Sequence, residues 1–312
     1  MLRLHYYSMH TECSSVEWIA RFVRFHGMRS REDLFPAEPK IDAFLTDLVV
    51  HGHVAAAAPH QAMHALVFLS KHVLNHALEG RINAVRSVKK ITVPVVMTRH
   101  AVAAVISFMD GTAQVVAKLL YGSGLRIMEA VRLRVKDIEY QMTPLTVRWG
   151  TGDKDRFTTG PVTLTPLLQN HLARVNDVAS AGCGSGAWRG LPPHALARKY
   201  PNTARAWGWP YVLPARDISV DPRSGVTRRH HVDPSVIHNA STVAVRRAGL
   251  TKTISAHTFR HAFATHLLHR STDIRTIQPR LGHNDVATTM IDTHILQPGG
   301  QGVPSPPDDL GV

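Results

Sequence analysis

The sequence predicts a mainly α-helical chain of two domains with one small β-sheet. Three observations lead there. The chain has 312 residues, 44% of them hydrophobic, enough for two separate cores. Apolar side chains recur at near-helical spacing before residue 75 and again beyond Thr98. Strand-like stretches are confined to residues 145–149 and 157–163, on either side of Gly150-Thr151-Gly152-Asp153-Lys154-Asp155, a turn-forming hairpin tip.

The elements follow in order. Trp18, Ile19, Phe22, Val23 and Phe25 mark a first helix, and Ile41, Phe44, Leu45, Leu48 and Val49 a second. Met63, Leu66, Val67, Leu69, Val73 and Leu74 mark a third. Gly27, Pro36, Pro39 and Pro59 punctuate them, so residues 1–88 read as a small helical bundle with its own core. Residues 80–94 carry Arg81, Arg86, Lys89 and Lys90 among few large apolar side chains. They read either as a linker that grips a polyanionic partner or as solvated basic surface, with the linker proper at 89–97.

The second domain is assigned to residues 98–298. It opens with two helices, the second ending near Tyr121-Gly122-Ser123-Gly124, and a third helix follows Leu125-Arg126. After the hairpin a helix is expected at 166–178. The following stretch to Pro234 is rich in Gly, Pro and aromatic residues and too long for a plain loop, so a structured insertion is expected at about 182–234. Residues 299–312 form a Gly/Pro-rich tail.

Charge narrows the function classes. Against 36 Lys and Arg stand 23 Asp and Glu, a net +13 and a pI near 10.3, which favours nucleic acid as partner and anionic membrane second. No apolar run approaches the roughly eighteen residues of a membrane span, and Met1-Leu2-Arg3-Leu4-His5 opens no signal peptide. A cytoplasmic protein without a membrane partner is expected. Cys13 and Cys183 are too few for a disulfide framework and are expected as free thiols. The 21 histidines invite a metal, but no His-Glu-x-x-His pair occurs, and His51-Gly52-His53 and His230-His231 lack a patterned further ligand. No metal or other cofactor is expected.

Chemistry concentrates late in the chain. His257-Thr258-Phe259-Arg260-His261 opens a helix on which His257, Arg260 and His261 share one face while Phe259 and Phe263 pack on the other. A short helix then ends at Leu281-Gly282 and presents His283, and Asn284 or Asp285 caps the next, which carries Met290, Ile291 and Asp292.

With these motifs the chain resembles the tyrosine recombinases, and within them the integron integrases. The resemblance runs nearly end to end. It rests on Leu119-Leu120-Tyr121-Gly122-Ser123-Gly124-Leu125-Arg126, on residues 257–267, and on Asp273-Ile274-Arg275 through Thr293-His294. Ala195-Leu196-Ala197-Arg198-Lys199-Tyr200-Pro201-Asn202, Asp221-Pro222-Arg223-Ser224-Gly225 and Arg228-Arg229-His230-His231 resemble the segments that mark the integrase branch.

The resemblance implies a C-shaped DNA clamp: a helical, SAM-like core-binding domain and an α+β catalytic domain. It implies site-specific strand exchange through a 3′-phosphotyrosine, by a tetramer on two DNA sites. Arg126 and Arg260 would hold the non-bridging oxygens of the scissile phosphate, a task suited to permanently charged guanidinium forks. His257 and His283 would add hydrogen bonds and assist proton transfer. The DNA would include folded single-stranded cassette sites as well as duplex. Trp207 and Trp209, with His230 and His231, would stack on protruding bases unless the tryptophans are the insertion's own core, and Arg228 and Arg229 would contact phosphate.

Two positions depart from the family. Thr151 stands where a lysine should protonate the leaving 5′ oxygen, and Lys154, three residues on, either reaches in as its substitute or contacts the DNA backbone. Asp292 stands where the nucleophilic tyrosine should be. A phenol of pKa about 10 forms a phosphodiester that DNA can reclaim, whereas a carboxylate of pKa about 4 would give a hydrolysis-prone acyl phosphate. The six tyrosines all lie well upstream. Pro279-Arg280 also replaces an acidic and an apolar residue, which predicts a displaced His283 unless Pro279 sits in an already distorted last turn. Three readings stay open: a recombinase disabled in its chemistry, a non-enzymatic protein that occupies recombination sites, and a DNA-nicking activity without religation.

Overall fold

The computed structural model describes residues 9–52, 54, 57–76, 78, 82, 95–138, 144–148, 155–182, 199–200, 203, 206–221, 224–270 and 272–293. The chain divides into two compact units, Met1–Thr92 and Val93–Val312. The basic residues expected in the linker, Arg81, Arg86, Lys89 and Lys90, lie outside the described residues.

The first unit holds α1 (Met9–Phe25), α2 (Ala37–Val50) and α3 (Ala58–Phe68), which runs on into a π turn at Leu69–Val73. Pro36 precedes α2, and Pro59 lies in the first turn of α3. Pro39 does not separate helices as the sequence suggested: it lies in the first turn of α2, where its missing N–H has no intrahelical acceptor to lose. Trp18 and Phe22 from α1 meet Ile41, Phe44, Leu45 and Leu48 from α2, and Ala62, Ala65 and Leu66 from α3. Phe22 and Phe44 lie edge to face with centroids 5.5 Å apart. Phe25 and Val73 stay outside this core, 44% and 43% exposed.

The second unit opens with α4 (Arg99–Ser107), whose N-cap Thr98 accepts the Ala101 N–H at 3.1 Å. Next comes α5 (Gly111–Ser123), largely enclosed: Val115, Val116, Ala117, Leu119 and Leu120 are all buried. A short α6 (Ile127–Val131) follows. Strands β1 (Pro144–Val147) and β2 (Arg156–Thr159) pair antiparallel, with Leu145 opposite Thr158 and Val147 opposite Arg156. β2 stops at Thr159 rather than reaching residue 163: Pro161 cannot donate to a ladder, and Val162–Leu164 forms a 3-10 turn. Thr158 Oγ1 donates to the Ser123 carbonyl at 2.8 Å, fixing β2 to the end of α5.

Beyond α7 (Thr165–Gly182), a two-residue ladder joins β3 (Ser219–Val220) to β4 (Thr227–Arg228). Then come α8 (Pro234–Arg247), α9 (Ala256–Leu268), α10 (Ile274–Leu281) and α11 (Val286–Thr293). The expected insertion is partly woven into the core. Val212 and Leu213 are fully buried, the Val212 N–H donates to Leu133 O, and the Val232 N–H donates to Leu213 O, each at 2.8 Å. The element α5 packs against α9, α8 and α4, and α10 against α11 and β2. Among the described residues no helix is long and apolar enough to cross a membrane.

Candidate active site

The site begins where α5 ends. Gly124 closes that helix in the left-handed region, φ +66°, and a Cβ there would lie 2.5 Å from two ring carbons of Phe263. The reversal places Arg126 at the N-cap of α6, where its backbone N–H donates to Glu129 Oε2 at 2.8 Å.

Glu129 is a buried hub. Arg156, from β2, donates Nη1 to Oε1 and Nη2 to Oε2, each at 2.7 Å. Arg126 Nη1 reaches Oε1 at 3.1 Å, and Arg260 Nη1 stands 4.0 Å from Oε2. Burial alone would raise the Glu129 carboxyl, but the Arg156 hydrogen bonds, the Arg126 N–H and the charges of both arginines hold it below its ordinary value. Three guanidiniums share one carboxylate, so the site keeps an excess of positive charge.

Arg260 is buried on α9. Its Nη1 donates to the Gly124 carbonyl and its Nη2 to the Leu281 carbonyl, both at 2.6 Å. Arg126 reaches the same turn, to the carbonyls of Leu281 and Gly282 at 3.3 Å each. That turn is a Schellman cap: the Gly282 N–H donates to Pro279 O and the His283 N–H to Gln278 O, with Gly282 at φ +65°. His283 Nε2 lies 2.9 Å from Arg260 Nη2. A guanidinium only donates, so Nε2 accepts here, and Nδ1 donates to Thr289 Oγ1 at 3.0 Å.

Of the two outcomes set by Pro279, the structure shows the milder. Pro279 is exposed within α10, the cap closes behind it, and His283 reaches Arg260. The carbonyl its missing N–H would have served belongs to exposed Arg275, where water can take over. Arg280 is half-buried, and its carbonyl accepts from Arg156 Nε at 3.3 Å.

Arg126, Arg260 and His283 are thus brought together. His257 is exposed in the first turn of α9, one turn before Arg260, with its ring edge-on to His261 at 6.3 Å. Phe259 and Phe263 are buried, as expected, but Arg260 is buried with them instead of sharing an open face with His257: Phe263 packs on Gly124, whose carbonyl Arg260 holds. Asp292 lies one turn after Thr289 on α11; its side chain lies outside the described residues, as do Thr151 and Lys154 entirely.

The insertion residues divide. Trp209 is half-buried, with Lys136 Nζ 3.3 Å from its ring centroid and the Arg134 guanidinium at 5.3 Å. Trp207 is 39% exposed. Arg228 reaches Ser224 Oγ at 3.2 Å and stands 4.0 Å from Asp221. Arg229 donates to the carbonyls of Ala215 and Arg216. His230 is half-buried, and its carbonyl accepts the Ala215 N–H at 2.7 Å. His231 lies edge-on to Tyr211 at 5.4 Å, and burial pushes its pKa down.

Sequence reading passed over Glu129, Arg156 and Thr289 as site residues. A signal existed for one: an acidic residue three positions after Arg126 has the spacing of a capping box. Arg156 joins the site through a strand pairing, and Thr289 through helix packing, neither of which has a local signature.

Residues 95–297 match the phage integrase family, and residues 1–79 match the phage integrase N-terminal SAM-like domain. An integrase/recombinase of Escherichia coli is 41% identical over 309 residues, covering 99% of this chain and 91% of that protein. Tyrosine recombinase XerD of Agrobacterium fabrum is 27% identical, with 89% and 82% covered. Among solved structures, the Tn1549 transposon integrase in complex with transposon right end DNA matches with TM-score 0.60 at 12% identity, covering 92% of this chain and 89% of that one. The XerH site-specific recombinase bound to palindromic difH substrate, in its post-cleavage complex, matches with TM-score 0.56 at 18% identity, covering 90% and 75%. Both share the fold of this chain.

Proposed function

The chain belongs to the phage integrase family of tyrosine recombinases, whose activity is site-specific DNA recombination, and on that premise we propose that it is an integron-type integrase whose own strand-transfer chemistry is disabled. It binds recombination sites in the bacterial cytoplasm, both duplex and folded single-stranded, and assembles as a tetramer on two sites.

The observation that carries this reading is the convergence of Arg126, Arg260 and His283 on the α10 cap, in a chain that has Asp292 and Thr151 at the two positions where bonds and protons move. Two guanidiniums grip the non-bridging oxygens of a phosphate and offset the charge of a pentacoordinate transition state. In a complete site, a tyrosine oxygen attacks phosphorus, the 5′ oxygen leaves with a proton, and the 5′ hydroxyl later reverses the step. Here the gripping half is supplied without the attacking half. A reading as a site-occupying DNA-binding protein is favoured by the same two substitutions, since phosphate gripping needs neither.

The test is a binding titration of the full chain with duplex, with a folded single-stranded cassette site and with the same stem lacking protruding bases, across salt concentrations. The proposal expects affinity that falls steeply with salt, preference for the cassette-site stem with protruding bases over a plain stem, and loss of at least tenfold in Arg126→Ala. Equal binding of all three DNAs, unaffected by Arg126→Ala, would remove its basis.

A further inference from the structure

Arg156 has no role in the reading above, yet it contacts both Glu129 and the turn that presents His283. Its two terminal nitrogens hold both oxygens of Glu129, its Nε donates to the Arg280 carbonyl at 3.3 Å, and its guanidinium lies against Gly282. A Cβ on Gly282 would lie 2.9 to 3.0 Å from the Nε, Cδ and Cζ of Arg156. The side chain is only 12% exposed, and Glu129 only 8%.

The geometry decides which arginine Glu129 neutralises. A carboxylate offers two oxygens, and Arg156 takes both at 2.7 Å in the parallel fork that carboxylates bind best. Arg126 is left with one longer contact at 3.1 Å, and Arg260 with none closer than 4.0 Å. Were Arg156 absent, Arg126 and Arg260 would be the nearest cations to the buried carboxylate among the described residues, and it would turn to them, because an unpaired buried charge is costly.

We propose that Arg156 is a positioning residue that occupies the Glu129 carboxylate and so keeps the charge of Arg126 and Arg260 available for the DNA phosphate, while tying β2 to the turn that presents His283. The inference rests on the reading of Arg126 and Arg260 as phosphate-gripping residues. Arg156 touches neither the phosphate nor the reacting atoms, and it acts through Glu129.

The role is separable from simple structural support, because it makes Glu129 harmful once Arg156 is gone. The experiment measures affinity of the folded full chain for a plain DNA duplex, and the slope of log affinity against log salt, in four proteins: unmodified, Arg156→Met, Glu129→Gln, and the double variant. Arg156→Met is expected to lose about tenfold in affinity and about one phosphate contact from the salt slope. Adding Glu129→Gln, which can still accept the Arg126 N–H but carries no charge, is expected to restore most of both.

Arg156→Lys, which keeps a charge but only one contact, is carried alongside in case Arg156→Met does not fold; it is expected to show the same loss and rescue at smaller amplitude. Affinity that Glu129→Gln fails to restore in either background, or lowers further, overturns the proposal and leaves Arg156 a structural residue. Arg126→Ala separates the two levels. If it leaves affinity and slope unchanged, the phosphate reading itself fails; if it lowers both while the rescue is absent, only the role of Arg156 fails.

Discussion

Arg156 holds Glu129 through two parallel hydrogen bonds of 2.7 Å, joining the second strand of the hairpin to the helix that Arg126 caps. The pair is enclosed on one side by the α10 cap, through the Arg280 carbonyl and Gly282. One ion pair therefore links three pieces of chain that are far apart in sequence.

The pair gives the domain a defined acid sensitivity. Glu129 has a folded pKa below its ordinary value of about 4.5, because its arginine partners outweigh burial. A lowered carboxyl contributes stability that is fully present above about pH 4.5 and is lost as pH falls through the folded value. Glu129→Gln is expected to cost about 1–3 kcal/mol at neutral pH. In paired thermal melts the gap between the two proteins should close below pH 4.5. A gap that persists unchanged into acid would mean the carboxylate charge is not what stabilises the hub.

Gly124→Ala tests the turn that aims Arg126. Its φ of +66° disfavours a side chain, and the new Cβ would collide with Phe263 and approach Leu281 Cδ2 at 3.0 Å. A loss of about 2–4 kcal/mol is expected in denaturant unfolding. Because the Gly124 carbonyl also accepts from Arg260, DNA affinity should fall in the folded variant. A neutral substitution would show that the reversal has room the structure does not reveal.

The two tryptophans of the insertion should separate stability from recognition. Trp209, clasped by Lys136 and Arg134, is expected to cost about 2–3 kcal/mol when replaced by alanine. Trp207→Ala should leave the melting temperature unchanged and weaken binding to a stem with protruding bases several-fold more than to plain duplex. Equal weakening on both DNAs would remove Trp207 from base recognition.

The helices, the hairpin and the Arg126, Arg260 and His283 positions were legible in the sequence because each has a local cause. Helical spacing of apolar residues, a Gly-rich tip, and glycines after helix ends are patterns within a few residues. Arg156 was not legible, because only the pairing of β2 with β1 and the packing of α10 beside it bring its guanidinium to Glu129. That part of the insertion completes the core was not legible for a related reason. Gly, Pro and aromatic content marks it as irregular, yet Val212 and Leu213 are fully buried and hydrogen-bonded through their backbone to Leu133 and Val232. Composition reports local irregularity; it does not report which short segments complete a core.

Pro279 teaches the opposite lesson. A proline in a helix predicts disruption, but its cost depends on where the missing N–H would have gone. Here that partner is the carbonyl of an exposed residue, and the left-handed Gly282 ends the helix within one turn of Pro279.

The central claim is that the gripping half of the site is sound and the attacking half is missing at Asp292. The most direct measurement is a suicide-substrate assay for covalent protein–DNA adduct, comparing the unmodified chain with Asp292→Tyr and with Asp292→Tyr plus Thr151→Lys. The account predicts no adduct from the unmodified chain and adduct after Asp292→Tyr, increased by Thr151→Lys. Adduct from the unmodified chain, or none from either variant, would contradict it.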